Sequence, residues 1–217
     1  MTQTVIFDMD GVIVDTEPVH SYAYFQHFAE LNIAVSEEMF TSFMGNSTRN
    51  TFQKLKEIFP IDLEVEDLIQ RKRTIFNDAF DNKEDLYLIE GVEKLIQDLH
   101  RNGMQLILAS SAAKVTIERV FNRFNLHQYF THIVSGEDFP NSKPHPAIFE
   151  YAANLSVAPK ENCIIIEDST NGVKAAKAAG IFCVGYNSKN SKLQDLSLAD
   201  LVVNHFDELN FELISGY

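Results

Sequence analysis

The chain is short of three things, and each shortage narrows what it can be. It has only two cysteines, Cys163 and Cys183, too few for a disulfide framework. Each falls in an apolar run that reads as a buried strand, so both are expected as small core residues. Positive charge is scarce: 18 Lys and Arg face 31 Asp and Glu, for a formal net charge of −13. Nucleic acids and anionic membranes ask for the opposite balance, so neither is expected as a partner. Long hydrophobic runs are missing too, none approaching the roughly 20 residues of a membrane span. The first strand begins within a few residues of Met1, which leaves no room for a signal peptide in the sequence as read. A cytoplasmic location is the simplest expectation. There is no internal repeat, no low-complexity segment and no Gly-, Pro- or Ser-rich linker. Oligomeric state is not legible.

What is present is ordinary globular material: 217 residues, 45% apolar and 23% charged, enough for one good core or a core with a smaller insertion. The reading is organised by Val5–Thr16, VIFDMDGVIVDT. Val5, Ile6 and Phe7 have the β-branched and aromatic character of a buried strand, and Asp8, Asp10 and Gly11 break the pattern as a loop would. The two acids therefore sit at a strand's carboxyl end, the edge at which open α/β sheets bind ligands. Carboxylates this close repel unless a cation, a shared proton or a hydrogen-bond network relieves them. A hard divalent ion is the natural remedy; a plain turn is the competing reading, since Asp and Gly are common after strands.

Beyond the acidic loop, Pro18 can open a helix, with Tyr22, Phe25, Phe28, Ala29 and Leu31 at helical spacing. Ser36 with Glu37 and Glu38 makes another helix start, and Thr51–Phe59 and Leu63–Phe80 are helical in period with no strand between them. Residues 16–85 thus read as an inserted α-helical cap domain, with 1–15 and 86–217 as the core. From Gly91 the chain alternates: helix Val92–Arg101, strand Gln105–Ala109, helix Lys114–Phe124, strand Ile133–Ser135, helix Pro146–Asn154, strand Cys163–Ile166, helix Gly172–Ala179, strand Phe182–Val184 and a last strand Leu201–Val203. The pattern predicts an α/β fold, a doubly wound parallel sheet with right-handed crossovers and the first strand central. Each polar cluster follows a strand: Asp8 and Asp10, then Ser110, then Glu167 and Asp168. The fold would collect them along one edge. Asp168 or Ser169 could equally cap the following helix, but four carboxylates at one edge without a cation would be costly. Oxygen-only ligands suit Mg²⁺.

DMDGVIVDT resembles the first signature of the haloacid dehalogenase superfamily, DxDGxxxDT. Ser110 after LILA, Lys143 in SKPHP and the run EDSTNG resemble the second, third and fourth, in order across nearly the whole chain. The resemblance implies Mg²⁺-dependent phosphoryl transfer: Asp8 as nucleophile, Asp10 as acid and base, Ser110 with Ser111 and Lys143 holding the phosphoryl group. It also implies Asp8 and Asp168 as side-chain metal ligands, Asp10 through its main-chain oxygen, and Glu167 directly or through water. Carbon-attacking dehalogenation is disfavoured, because its motif lacks the second aspartate.

Within the superfamily the chain looks like the β-phosphoglucomutase-like branch. By that resemblance Thr16, His20, Gly45, Arg49 and Lys72 are hinge and cap candidates; surface cations and a packed histidine are the plainer readings. The mutase carries Ser and Lys where this chain has Ala112 and Ala113, with Lys114 one place later. A phosphatase acting on a small phosphate ester such as a sugar phosphate is therefore expected ahead of a β-phosphoglucomutase. Pyrophosphatase activity or a non-catalytic phosphate-binding module rank below both.

Overall fold

The computed structural model describes residues 1–43, 47–188 and 194–217. In chain order it runs β1 (Thr4–Phe7), α1 (Glu17–Glu30), α2 (Glu37–Thr41), α3 (Thr48–Ile58), α4 (Val65–Asn82), α5 (Val92–Arg101), β2 (Gln105–Ser110), α6 (Lys114–Arg123), β3 (His132–Ser135), α7 (Ala147–Asn154), β4 (Cys163–Glu167), α8 (Thr170–Ala178), β5 (Phe182–Tyr186), β6 (Leu201–Val203) and α9 (Phe211–Ser215). The chain divides into two compact units, one of residues 1–15 and 87–217, the other of residues 16–86.

The first unit is built on a six-stranded sheet in the order β3-β2-β1-β4-β5-β6, every pairing parallel. All residues of β1, β2 and β4 are buried, which is why these segments read as unbroken apolar runs: helices cover both faces of a parallel sheet. One face packs Ile6, Ile107 and Ile165 against Phe149 of α7 and Val173 and Ala176 of α8. Both cysteines are free and buried.

The second unit is helical. An apolar cluster of Tyr24, Phe28, Phe40, Phe52, Leu55 and Leu68 holds α1 to α4 together. Pro18 sits in the first turn of α1, where its missing N–H costs nothing. Ser36 and Ser47 cap α2 and α3 by accepting the N–H of Met39 and Asn50. The Ser47 cap starts α3 three residues before the apolar period becomes visible at Thr51. Among the described residues no helix is long and apolar enough to cross a membrane.

Candidate active site

Three strands aim their last residues at one edge of the first unit. Asp8 follows β1, and its N–H donates to Ile166 O at 3.0 Å, which extends the β1–β4 ladder by one bond and fixes where the carboxylate emerges. Past Asp8 the chain folds back on itself. Gly11 N–H donates to Val14 O and Ile13 N–H to Met9 O, and Ile13 O accepts from Ile89 N–H at 2.9 Å. Gly11 takes φ +83°, and a Cβ there would lie 2.0 Å from Asp168 Oδ2. Only glycine lets the Asp168 carboxylate lie against this loop.

Lys143 is the centre of the arrangement. Its ammonium donates to Asp8 Oδ1 at 2.6 Å, Glu167 Oε1 at 2.8 Å and Ala109 O at 3.2 Å, and it stands 4.5 Å from the Phe149 ring centroid. All three charged groups are buried, with Lys143 8% exposed, Asp8 6% and Glu167 1%. Burial pushes the Asp8 carboxyl up to about 7; Lys143 opposes the rise, and the charges of Glu167 and Asp10 add to it. Burial by itself would lower the lysine's pKa, but the charges of Asp8 and Glu167 more than reverse that, so Lys143 is raised and remains a cation. Ser110, the last residue of β2 and fully buried, accepts the Ala112 N–H at 3.0 Å through Oγ. Its hydroxyl proton can then be given elsewhere. Ser111 beside it is exposed.

Sequence reasoning missed Gly172 as part of the site and took Ser169 only as a candidate helix cap. Glu167 Oε2 accepts from the backbone N–H and the hydroxyl of Ser169 at 2.7 and 3.0 Å, while Ser169 Oγ caps α8 at Gly172 N–H. A Cβ on Gly172 would lie 1.7 Å from Glu167 Oε1. Both oxygens of Glu167 are therefore engaged by protein, one by Lys143 and one by Ser169. The glycine ending EDSTNG was the available signal.

The expected set Asp8, Asp10, Ser110, Lys143, Glu167 and Asp168 is gathered at this one sheet edge. Thr16, His20, Arg49 and Lys72 belong to the helical unit. Thr16 is buried ahead of α1. Arg49 is exposed and ion-paired with Glu66. Lys72 is 4% exposed, too deep for an ordinary surface cation. Its Nζ is 2.6 Å from His20 Nδ1, it lies over the rings of Tyr24 and Phe76, and His20 stacks on Phe76. Gly45 lies outside the described residues.

The donors suit a hard cation by chemistry and by charge. The acids of this edge offer only oxygen ligands, and they outnumber the single buried lysine. Among the described residues, no three His, Cys, Asp or Glu side chains are already gathered closely enough to hold a metal ion. The fit to Mg²⁺ rests on the donor set and on the Gly11 cradle for Asp168.

Known proteins resemble this chain in sequence and in fold. The chain is 32% identical, over 82% of its length and 82% of the relative's, to a phosphorylated carbohydrates phosphatase of Thermotoga maritima. It is 31% identical to the β-phosphoglucomutase of Bacillus subtilis, over 98% of this chain and 93% of the other. Its fold superposes with a TM-score of 0.88 on a CbbY variant of Rhodobacter sphaeroides crystallised with xylulose-(1,5)bisphosphate, at 25% identity and 96% coverage of both chains. The description of the haloacid dehalogenase-like hydrolases matches residues 5–186; this chain belongs to that family, as an enzyme of phosphoester hydrolysis or transfer.

Proposed function

We propose that the protein is a Mg²⁺-dependent phosphatase that hydrolyses a small phosphomonoester, a sugar phosphate, through an aspartyl phosphate on Asp8. The observation that carries this reading is the buried Lys143 bridging Asp8 and Glu167 beside Ser110. An Asp8 oxygen attacks phosphorus as the bond from phosphorus to the leaving oxygen breaks, and Asp10 protonates that oxygen. Asp10 then takes a proton from water, which attacks phosphorus and frees Asp8. Lys143 balances charge on the transferring oxygens, and Ser110 donates a hydrogen bond to one of them. Asp8, Asp168 and the Asp10 main-chain oxygen would hold Mg²⁺, with Glu167 assisting through water. When bound, the ion supplies positive charge to the phosphoryl oxygens and keeps Asp8 ionised.

Residues 16–86 serve, in this reading, as the cap that selects the substrate. The chain enters and leaves this unit at Asp15–Thr16 and Leu86–Tyr87. Two free, buried thiols accord with a cytoplasmic setting. Similarity to a β-phosphoglucomutase favours a mutase as the second reading, against which stand Ala112 and Ala113. The test is a panel of phosphate esters with Mg²⁺, with and without a hexose bisphosphate primer. Phosphate release should outpace any conversion of β-glucose 1-phosphate to glucose 6-phosphate. Asp8→Asn, isosteric, should lower turnover by at least about 10⁴-fold with the fold intact. Substantial activity in that variant, or full activity in excess chelator, would refute the reading.

A further inference from the structure

Past the phosphoryl site the chain runs from Ser110 through Ser111, Ala112 and Ala113 into α6. Among the donors this stretch could offer a second anion are the backbone N–H of Lys114 and its ammonium. Both are already taken. The Lys114 N–H donates to Glu137 Oε2 at 2.9 Å, and its Nζ donates to Asp138 Oδ1 at 2.6 Å. The hydrogen bond to Asp138 raises the lysine's pKa.

The turn that brings these acids is fastened to the same stretch. Gly136 lies flush on Ser111, where a Cβ would meet Ser111 Cα at 2.9 Å. Ser135 Oγ donates to Ala112 O at 2.7 Å and accepts the Glu137 N–H at 3.2 Å. Glu137 and Asp138 are thus held beside the phosphate-binding segment. A second phosphate or a carboxylate on the substrate would have to displace them from Lys114 and then lie next to two carboxylates of its own sign of charge. A neutral hydroxyl would instead find acceptors there.

We propose that Glu137 and Asp138 are specificity-determining residues: they bar a second anionic group from the Ser110–Lys114 side of the site and restrict the enzyme to monophosphates whose remaining end is uncharged. This deepens the phosphatase reading and rests on it. A CbbY of similar fold was crystallised with a sugar bisphosphate, the class of ligand that these two acids would exclude here.

Calorimetry on the Asp8→Asn protein with Mg²⁺, using glucose 6-phosphate and glucose 1,6-bisphosphate as probes, separates the two ideas because it does not depend on turnover. The monophosphate should bind at least about tenfold tighter, and E137Q with D138N should bring the two probes within about twofold. Gln at 137 keeps an oxygen for the Lys114 N–H, and D138N alone should give part of the shift. In the protein carrying only Asp8→Asn, the preference should also shrink as salt rises from about 20 to about 300 mM. A bisphosphate that binds as tightly as the monophosphate, or a preference untouched by both substitution and salt, would overturn the proposal. If the preference responds but the unsubstituted enzyme releases no phosphate from any ester, the phosphatase reading falls and the assignment of Glu137 and Asp138 stands.

Discussion

Glycine decides the site as much as the charged residues do. Gly172 sits in the first turn of α8 at an ordinary helical φ, so Gly→Ala there would normally favour the helix. Here the new methyl would occupy the place of Glu167 Oε1, 1.7 Å away. The carboxylate must move, and with it one of the two acids holding Lys143. Gly172→Ala should therefore destabilise the fold by about 1–3 kcal/mol despite its better helix propensity. A lowered urea midpoint together with a fall in kcat is the expected outcome; an unchanged midpoint would mean that the carboxylate has another place to go. Asp8, Lys143, Glu167 and Asp168 were legible because each closes an apolar run or lies in a recognisable motif. Gly172 was not singled out for the site and Ser169 was read only as a cap, because helix starts use the same residue types for capping alone.

Helix boundaries were legible where caps announce them and blurred where they do not. The expected helix at Gly172 begins at Thr170, because Ser169 caps it and leaves the glycine inside. Strand β5 continues to Tyr186, two residues beyond the expected end, since pairing with β6 carries it on. Helix α9 went unread: five residues are too few to display a period, and it is held by Asn210 at its start and by Asp98 Oδ2 accepting the Phe211 N–H. In α1, His27 is buried against Phe52 with Nδ1 unbonded. Burial pulls its pKa below the ordinary 6.5, with Glu30 opposing and Arg71 adding to the shift. As pH falls below about 6.5 the unfolded chain takes up the proton before the folded one does. Stability from this group is complete above that pH and is lost as pH falls. Urea unfolding at about pH 7 and about pH 5 should show a drop that His27→Leu makes shallower. Parallel profiles for the two proteins would show that His27 is not the titrating group.

At the scale of the molecule, the proposed Mg²⁺ site makes stability a readout of binding. With Mg²⁺ at about 100 times its dissociation constant, unfolding should become about 2.7 kcal/mol more costly, and Asp168→Asn should remove most of that gain. Thermal melts with and without Mg²⁺ measure it; an equal rise in the variant would place the ion elsewhere. The amino-acid order alone was enough for the α/β class, the order of elements as far as β6 and the polar clusters that follow β1, β2 and β4. Those follow from periodicity and from local chemistry, and they are properties of short stretches. The pairing of charges, by contrast, came only with the folded chain. Lys143 reaches Asp8 across 135 positions of chain and Glu167 across 24, Glu137 and Asp138 close around Lys114, and Lys72 is buried among aromatic rings. No local pattern encodes such contacts. They arise because parallel strands remote in sequence end at the same edge and because packed helices bring distant side chains together.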